Sequence, residues 1–269
     1  MIGTLGAQII DGAMHGNDGA SAPYLKMIVA AKHGTAYQTE SNRFGFNDLV
    51  TAHDIAATYL PAWELAARCD VPGAGCVTGY MCAYPALNSV PLCASAWFSG
   101  LMRQWGMGSD PAHAGGSYIQ GDCGALDDIS DRHHWNNVTK VQAMAYVLNQ
   151  ATADIDCGGA LPGNALPAVA AGLTTMASVE ASLARTLTLQ FLAGRFDPLQ
   201  AQPYTALPFE AVDAPASLAL ANEGAQQGMV LLRNDAGLLP LTPGARLACI
   251  GPHCNTTIDL MGNYFEQRW

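Results

Sequence analysis

The stretch Tyr118-Ile119-Gln120-Gly121-Asp122-Cys123-Gly124-Ala125-Leu126 decides how the chain is read. A short apolar run, the pattern of a β-strand, ends on a carboxylate flanked by glycines. An Asp beside Gly most often sits in a turn or caps the next helix. In a barrel of parallel strands, a carboxylate at a strand's C-terminal end lies instead on the face where the chemistry is done. The surrounding sequence separates the two readings.

Working outward, strand-like and helix-like segments alternate, the order that produces a parallel sheet. Residues 24–33 run apolar and close on Lys32-His33. Residues 48–68 have helical spacing through Leu49, Ile55, Tyr59, Leu60, Trp63 and Leu65, with Pro61 set to kink or divide the helix. Residues 76–84 read as a strand and 94–105 as a helix with Trp97, Phe98, Leu101 and Met102 on its apolar side. A glycine-rich loop, 106–116, leads into the strand that ends at Asp122. Helices follow over 140–150 and 178–193, the latter stopped by Gly194. Residues 197–215 contain four prolines and no period, the mark of a linker. Beyond it, 217–232 reads as a helix and 246–251 as a short strand before a Gly-Pro turn.

Composition narrows the class. Half of the 269 residues are apolar and only 13% are charged, enough to fill a core. The net charge of −10, from 12 basic and 22 acidic residues, disfavours nucleic acid and anionic membranes as partners. Neutral or cationic ligands fit better. No apolar stretch reaches membrane-span length, and residues 1–8 show no signal-peptide pattern. Yet there are eight cysteines (Cys69, Cys76, Cys82, Cys93, Cys123, Cys157, Cys249 and Cys254), and no CxxC zinc pair among them. Two sequons occur, at Asn137-Val138-Thr139 and Asn255-Thr256-Thr257. Together these imply a secreted protein whose targeting segment lies outside this chain.

Three strand ends carry polar groups of ligand-binding type. Lys32-His33 offers hydrogen-bond donors suited to a polyol, although alone such a pair is more often structural. Met81-Cys82-Ala83-Tyr84 ends in a phenol able to bond a carboxylate. Cys82 and Cys93 are spaced to close a short loop, a pairing the sequence alone leaves open. Convergence of the three on one barrel face favours a functional site. No Gly-x-Ser-x-Gly or phosphate-cradling motif is present. His133-His134 reads as a solvated loop, because adjacent histidines point in different directions.

These residues, in order, resemble glycoside hydrolase family 3, and within it the β-xylosidase-like branch. Ala31-Lys32-His33 resembles its Lys-His strand end, and Asn42-Arg43-Phe44-Gly45-Phe46-Asn47 its RFxFN segment. Residues 54–61 resemble its DL..TYLP helix, and residues 81–94 its MCxYNxVNGxPxCA stretch. Gly121-Asp122-Cys123 resembles the SDC triplet that holds the nucleophile, and Asp154-Ile155-Asp156-Cys157-Gly158 the DxDCG motif. Residues 194–198 resemble the end of the barrel domain. Residues 228–241 resemble the opening of the second domain, and Ile250-Gly251-Pro252 with Met261-Gly262-Asn263-Tyr264 the branch's IGPxxN and GNY segments. Departures are Gly121 for Ser, Gly34 for Phe, Pro85 for Asn and Ser89 for Gly.

The resemblance implies an α/β fold: a partial (β/α)8-type barrel over 1–197, a linker over 198–215, and the beginning of an α/β sandwich domain over 216–269. It implies a retaining exo-hydrolase of β-xylosides, with arabinofuranosides as a second candidate class, in which Asp122 is the nucleophile. Lys32, His33 and Met81 would bind substrate, and Tyr84 would lie beside the nucleophile. The acid/base carboxyl would lie outside this chain, which therefore reads as a piece of a longer polypeptide with little activity of its own. No metal or organic cofactor is expected, and the partner is an oligosaccharide. Cys123 and Cys157, each after a strand-end aspartate, would pair. A β-glucosidase is the alternative, disfavoured by Cys123 where such enzymes carry Trp. A non-catalytic carbohydrate-binding relative is the other.

Overall fold

The computed structural model describes residues 1–16, 23–70, 72, 75–109 and 116–256. It divides into two compact units, Met1–Leu207 and Pro208–Trp269. The middle of the predicted 106–116 loop, Thr257 of the second sequon and the GNY segment lie outside the described residues.

The first unit opens with helix α1 (Ile2–His15), then strands β1 (Ala30–Gly34) and β2 (Asn47–Asp48), and helices α2 (Ala52–Asp54) and α3 (Leu60–Ala67). There follow β3 (Gly79–Cys82), β4 (Ala86–Leu87), β5 (Val90–Pro91), α4 (Ala96–Gln104) and β6 (Tyr118–Gly121). The unit continues with α5 (Ala125–Asp131), α6 (Lys140–Gln150), β7 (Ile155–Asp156), α7 (Ala160–Ala170) and α8 (Met176–Leu192). One sheet has the order β1-β3-β6-β7, every pair parallel, and β2-β4-β5 form a small second sheet. Parallel strands joined by helices make this an α/β fold, part of a barrel.

The sheet's two faces differ. Tyr80 and Ile119 are fully buried on the helix-covered side. Tyr80 packs edge-on against Phe98 of α4 (5.0 Å) and Trp63 of α3 (6.1 Å). Gly34 makes room for this cluster: a Cβ there would stand 2.5 Å from the Phe98 ring. On the other face the register row Lys32–Met81–Gln120–Ile155 crosses all four strands and remains partly open.

Local chemistry explains several boundaries. β1 starts only at Ala30 because Val29 bonds through both its N–H and its C=O to the Thr78 hydroxyl instead of a backbone partner. Helix 48–68 begins at Ala52, capped by Thr51, and widens into a π-turn over Ile55–Tyr59 before α3. Pro61, lacking an N–H, falls in the first turn of α3, where a missing donor costs least. Helix α6 opens with a Thr139–Gln142 capping box. Asp154, its side chain fully buried, accepts two bonds from Arg185 (2.8 and 2.6 Å), one from Ser182 (3.1 Å) and one from the Ile119 N–H (3.0 Å). It thereby locks β6 to α8. Helices α1, α5 and α7 are not anticipated by the sequence reading.

The second unit corrects two expectations. Its helix α9 spans Pro215–Gly228, so 229–232 are not helical. The strand predicted over 246–251 does not form: Leu247 and Ile250 are 72% and 90% exposed. A strand is held by neighbours' hydrogen bonds, and no strand occurs among the described residues of this unit. Residues 198–211 contain short 3₁₀ turns, and Gln202 donates to the carbonyl of Ala193.

Candidate active site

Asp122 follows directly on β6, and its N–H continues the ladder to the carbonyl of Cys82 (3.1 Å). The strand runs this far because Gly121 fits beneath Leu126: a Cβ at 121 would lie 2.0 Å from Leu126 Cδ1. The departure from Ser at this position thus has a packing cause in this chain.

The carboxylate is held at both oxygens. Oδ1 accepts the Cys123 N–H (2.8 Å) and faces the Tyr84 hydroxyl (3.2 Å). That hydroxyl also faces the Cys123 carbonyl (3.0 Å), so its single proton is shared between two acceptors. Oδ2 stands 3.3 Å from His33 Nε2. The Asp122 side chain is 15% exposed, enough for a ligand atom to reach it. Sequence-predicted His33, Tyr84 and Asp122 therefore meet at one point. Lys32 and Met81 share the open register row next to it.

Burial sets the protonation. It pushes the Tyr84 phenol up to about 12, with the Asp122 charge adding to the effect, so Tyr84 stays a donor. Burial lowers His33 below the usual histidine value although the Asp122 carboxylate pulls the other way. At neutral pH this leaves a neutral imidazole beside a carboxylate.

Several site residues escape sequence reasoning. Arg43 lies 4.9 Å from both the Phe44 and Tyr84 ring centres, a cation–π sandwich, and donates to Tyr37 (3.3 Å) and Glu40 (3.0 Å). Tyr37 packs edge-on against His33 (5.4 Å), and Phe44 against Tyr84 (4.8 Å). The Arg43-Phe44 pair stands inside a recognised motif, but nothing in the sequence gives it this contact. His133 corrects the solvated-loop reading: it is half-buried, and Nε2 donates to the Tyr84 carbonyl at 2.8 Å. The turn after α5 folds back onto the site, so this histidine has a partner there while His134 points to solvent.

Two disulfides fix the loops around Asp122. Cys82–Cys93, a pairing the sequence leaves open, ties the end of β3 to the following turn, and Cys123–Cys157 ties the loops after β6 and β7, as expected. Gly124 N–H also bonds the Cys157 carbonyl (2.9 Å). Cys69–Cys76 and Cys249–Cys254 complete the set, leaving no free cysteine. Asp156 caps α7 by accepting the Leu161 N–H (2.9 Å).

A carboxylate at a strand's C-terminal end, beside aromatic rings and an arginine, stands where parallel barrels carry their active sites. The comparisons make this specific: the chain is homologous to fungal exo-1,4-β-xylosidases. It is 37% identical over 261 residues to a probable exo-1,4-β-xylosidase of Neosartorya fischeri, spanning 95% of this chain and 32% of that protein. A solved family 3 exo-β-xylosidase, in complex with a xylobiose aziridine activity-based probe, superposes with a TM-score of 0.82 at 31% identity. That match covers 97% of this chain and 32% of the solved chain. A Listeria innocua β-glucosidase shares the fold at TM-score 0.68 and 19% identity, covering 88% of this chain and 31% of that one. No family model matches the chain. The chain therefore spans about a third of the length of the curated relatives it matches.

Proposed function

We propose that the chain carries the nucleophile of a retaining exo-hydrolase of β-xylosides; its relatives are named exo-1,4-β-xylosidases. The observation that carries this reading is the Asp122 carboxylate, reachable and oriented by Tyr84, Cys123 N–H and His33. Oδ1 takes two donors at 2.8 and 3.2 Å while Oδ2 has the longer 3.3 Å contact with His33, so Oδ2 is the oxygen that would attack an anomeric carbon. Its lone pair forms the C1–O bond while the leaving-group oxygen departs with the glycosidic electron pair. Water then cleaves the glycosyl ester and returns the carboxylate. Neutral His33 and the Lys32 ammonium would hold sugar hydroxyls. The proton for a natural leaving group would come from a second carboxyl, roughly 5–5.5 Å from the first in retaining enzymes. Secretion, supported by the paired cysteines and the sequons, belongs to the same reading.

A dinitrophenyl 2-fluoro-xyloside tests the nucleophile alone, because its leaving group needs no acid. The expected result is one fluoro-xylosyl adduct on the peptide carrying Asp122, absent from Asp122→Asn. A chain that binds xylose yet stays unlabelled would instead be a carbohydrate-binding relative. Robust turnover of an unactivated xyloside would show that the proton donor is within the chain.

A further inference from the structure

Between α5 and α6 the chain reads Trp135-Asn136-Asn137-Val138-Thr139. Trp135, Asn136 and Asn137 make a single 3₁₀ turn, with Asn136 and Asn137 at φ of 51° and 53°. Asn137 is exposed, and no hydrogen bond of its side-chain amide occurs among the described residues. Thr139 completes the sequon as the N-cap of α6. Two residues before Asn137, Trp135 packs at 4.9 Å against Tyr146. Both line a groove of about 450 Å³ with Leu87, Val90 and Trp97, and Trp97 is 49% exposed.

We propose that Asn137 is an N-glycan acceptor and that its first sugar covers the aromatic groove beginning at Trp135. Three observations converge. The sequon stands on an exposed turn. The groove holds partly exposed rings with a negative π-face, which suits the C–H face of a pyranose. Trp135, two residues before the acceptor, is itself part of that groove's lining. Eight paired cysteines match the oxidising compartment in which such glycans are added. The co-reactant is a lipid pyrophosphate-linked oligosaccharide. Asn137 Nδ2 bonds to the sugar's C1, the C1–O bond to pyrophosphate breaks, lipid pyrophosphate leaves, and one amide proton is lost. This inference is independent of the hydrolase reading.

The chain, led through a yeast secretory pathway behind a cleavable leader, provides the test. Peptides from the medium and from the microsomal fraction are treated with N-glycosidase F in ¹⁸O-water. Labelled aspartate at 137, absent from Asn137→Gln, is expected. Trimming to the first sugar should leave the thermal midpoint unchanged, whereas full removal should lower it by about 2–4 °C, the shift for about 1 kcal/mol in a chain of this size. Trp135→Leu should keep the glycan but lose that dependence, and Trp135→Phe, which retains a ring, should keep both. An unlabelled 137 peptide in both fractions overturns the acceptor site. An occupied Asn137 whose midpoint ignores the first sugar overturns the stacking.

Discussion

Tyr84 meets Asp122 through a hydroxyl that burial keeps protonated, so the carboxylate sees a permanent donor. Tyr84→Phe removes it and should slow labelling of Asp122 by about tenfold, since a hydrogen bond to a charged group is worth about 1.5–3 kcal/mol. The titrating groups pull stability in opposite directions. His33 and His133 are both lowered by burial, so the folded chain binds fewer protons than the unfolded one just below the usual histidine range. Their contribution is complete above about pH 6.5 and falls away as pH drops toward the lowered values. Asp128 acts in reverse. It is buried, one oxygen has no partner among the described residues, and its pKa is pushed up to about 6. Its folded state holds the extra proton, so stability is full below about pH 4 and lost as pH rises to 6. Thermal midpoints from pH 4 to 8 should show Asp128→Asn stabilised by about 1–2 kcal/mol at pH 7 with no gain at pH 4. His33→Gln should flatten the acid limb. At this scale Asp122, Tyr84 and His33 were legible, because each ends or follows an apolar run. Arg43, Tyr37 and His133 were not, since their roles come from loops folding back across the site.

Each element is fixed by a few close fits. A methyl at position 121 would enter the space of fully buried Leu126. Gly121→Ala should cost about 1–3 kcal/mol in denaturant unfolding, the usual penalty of overpacking a core. Arg185 donates twice to a carboxylate with no solvent access that also has Arg103 at 3.9 Å, so Arg185→Met removes the closer cation and should cost about 1.5–3 kcal/mol. Elements with a strong period or clear caps, such as α6, α8 and β6, could be read from sequence. α1 and α7 could not. Their glycines dilute the helical signal, and α7 carries Pro167 inside it. The predicted strand at 246–251 had the right composition but no partner strand, and pairing is not a property of one segment.

For the molecule as a whole, the two units should differ in protection. None of the described residues from 208 onward is buried, whereas β3 and β6 lie between other strands and under helices. Hydrogen exchange should find amides of 79–82 and 118–121 slow, and those of 229–256 near the unprotected rate. Comparable protection in both would contradict this picture. The parallel order and the barrel class were legible from alternation and from the resemblance of successive motifs.

The central sheet has one sealed face and one open row, Lys32–Met81–Gln120–Ile155. That asymmetry is a map of evolutionary freedom. Along β3 and β6, tolerance to substitution should peak at the third residue of each strand. Tyr80 and Ile119 would accept almost nothing, while Met81 and Gln120 drift at little cost to folding. The same strands thus keep the fold constant with one set of side chains and leave the other set available for selection on whatever the open face meets.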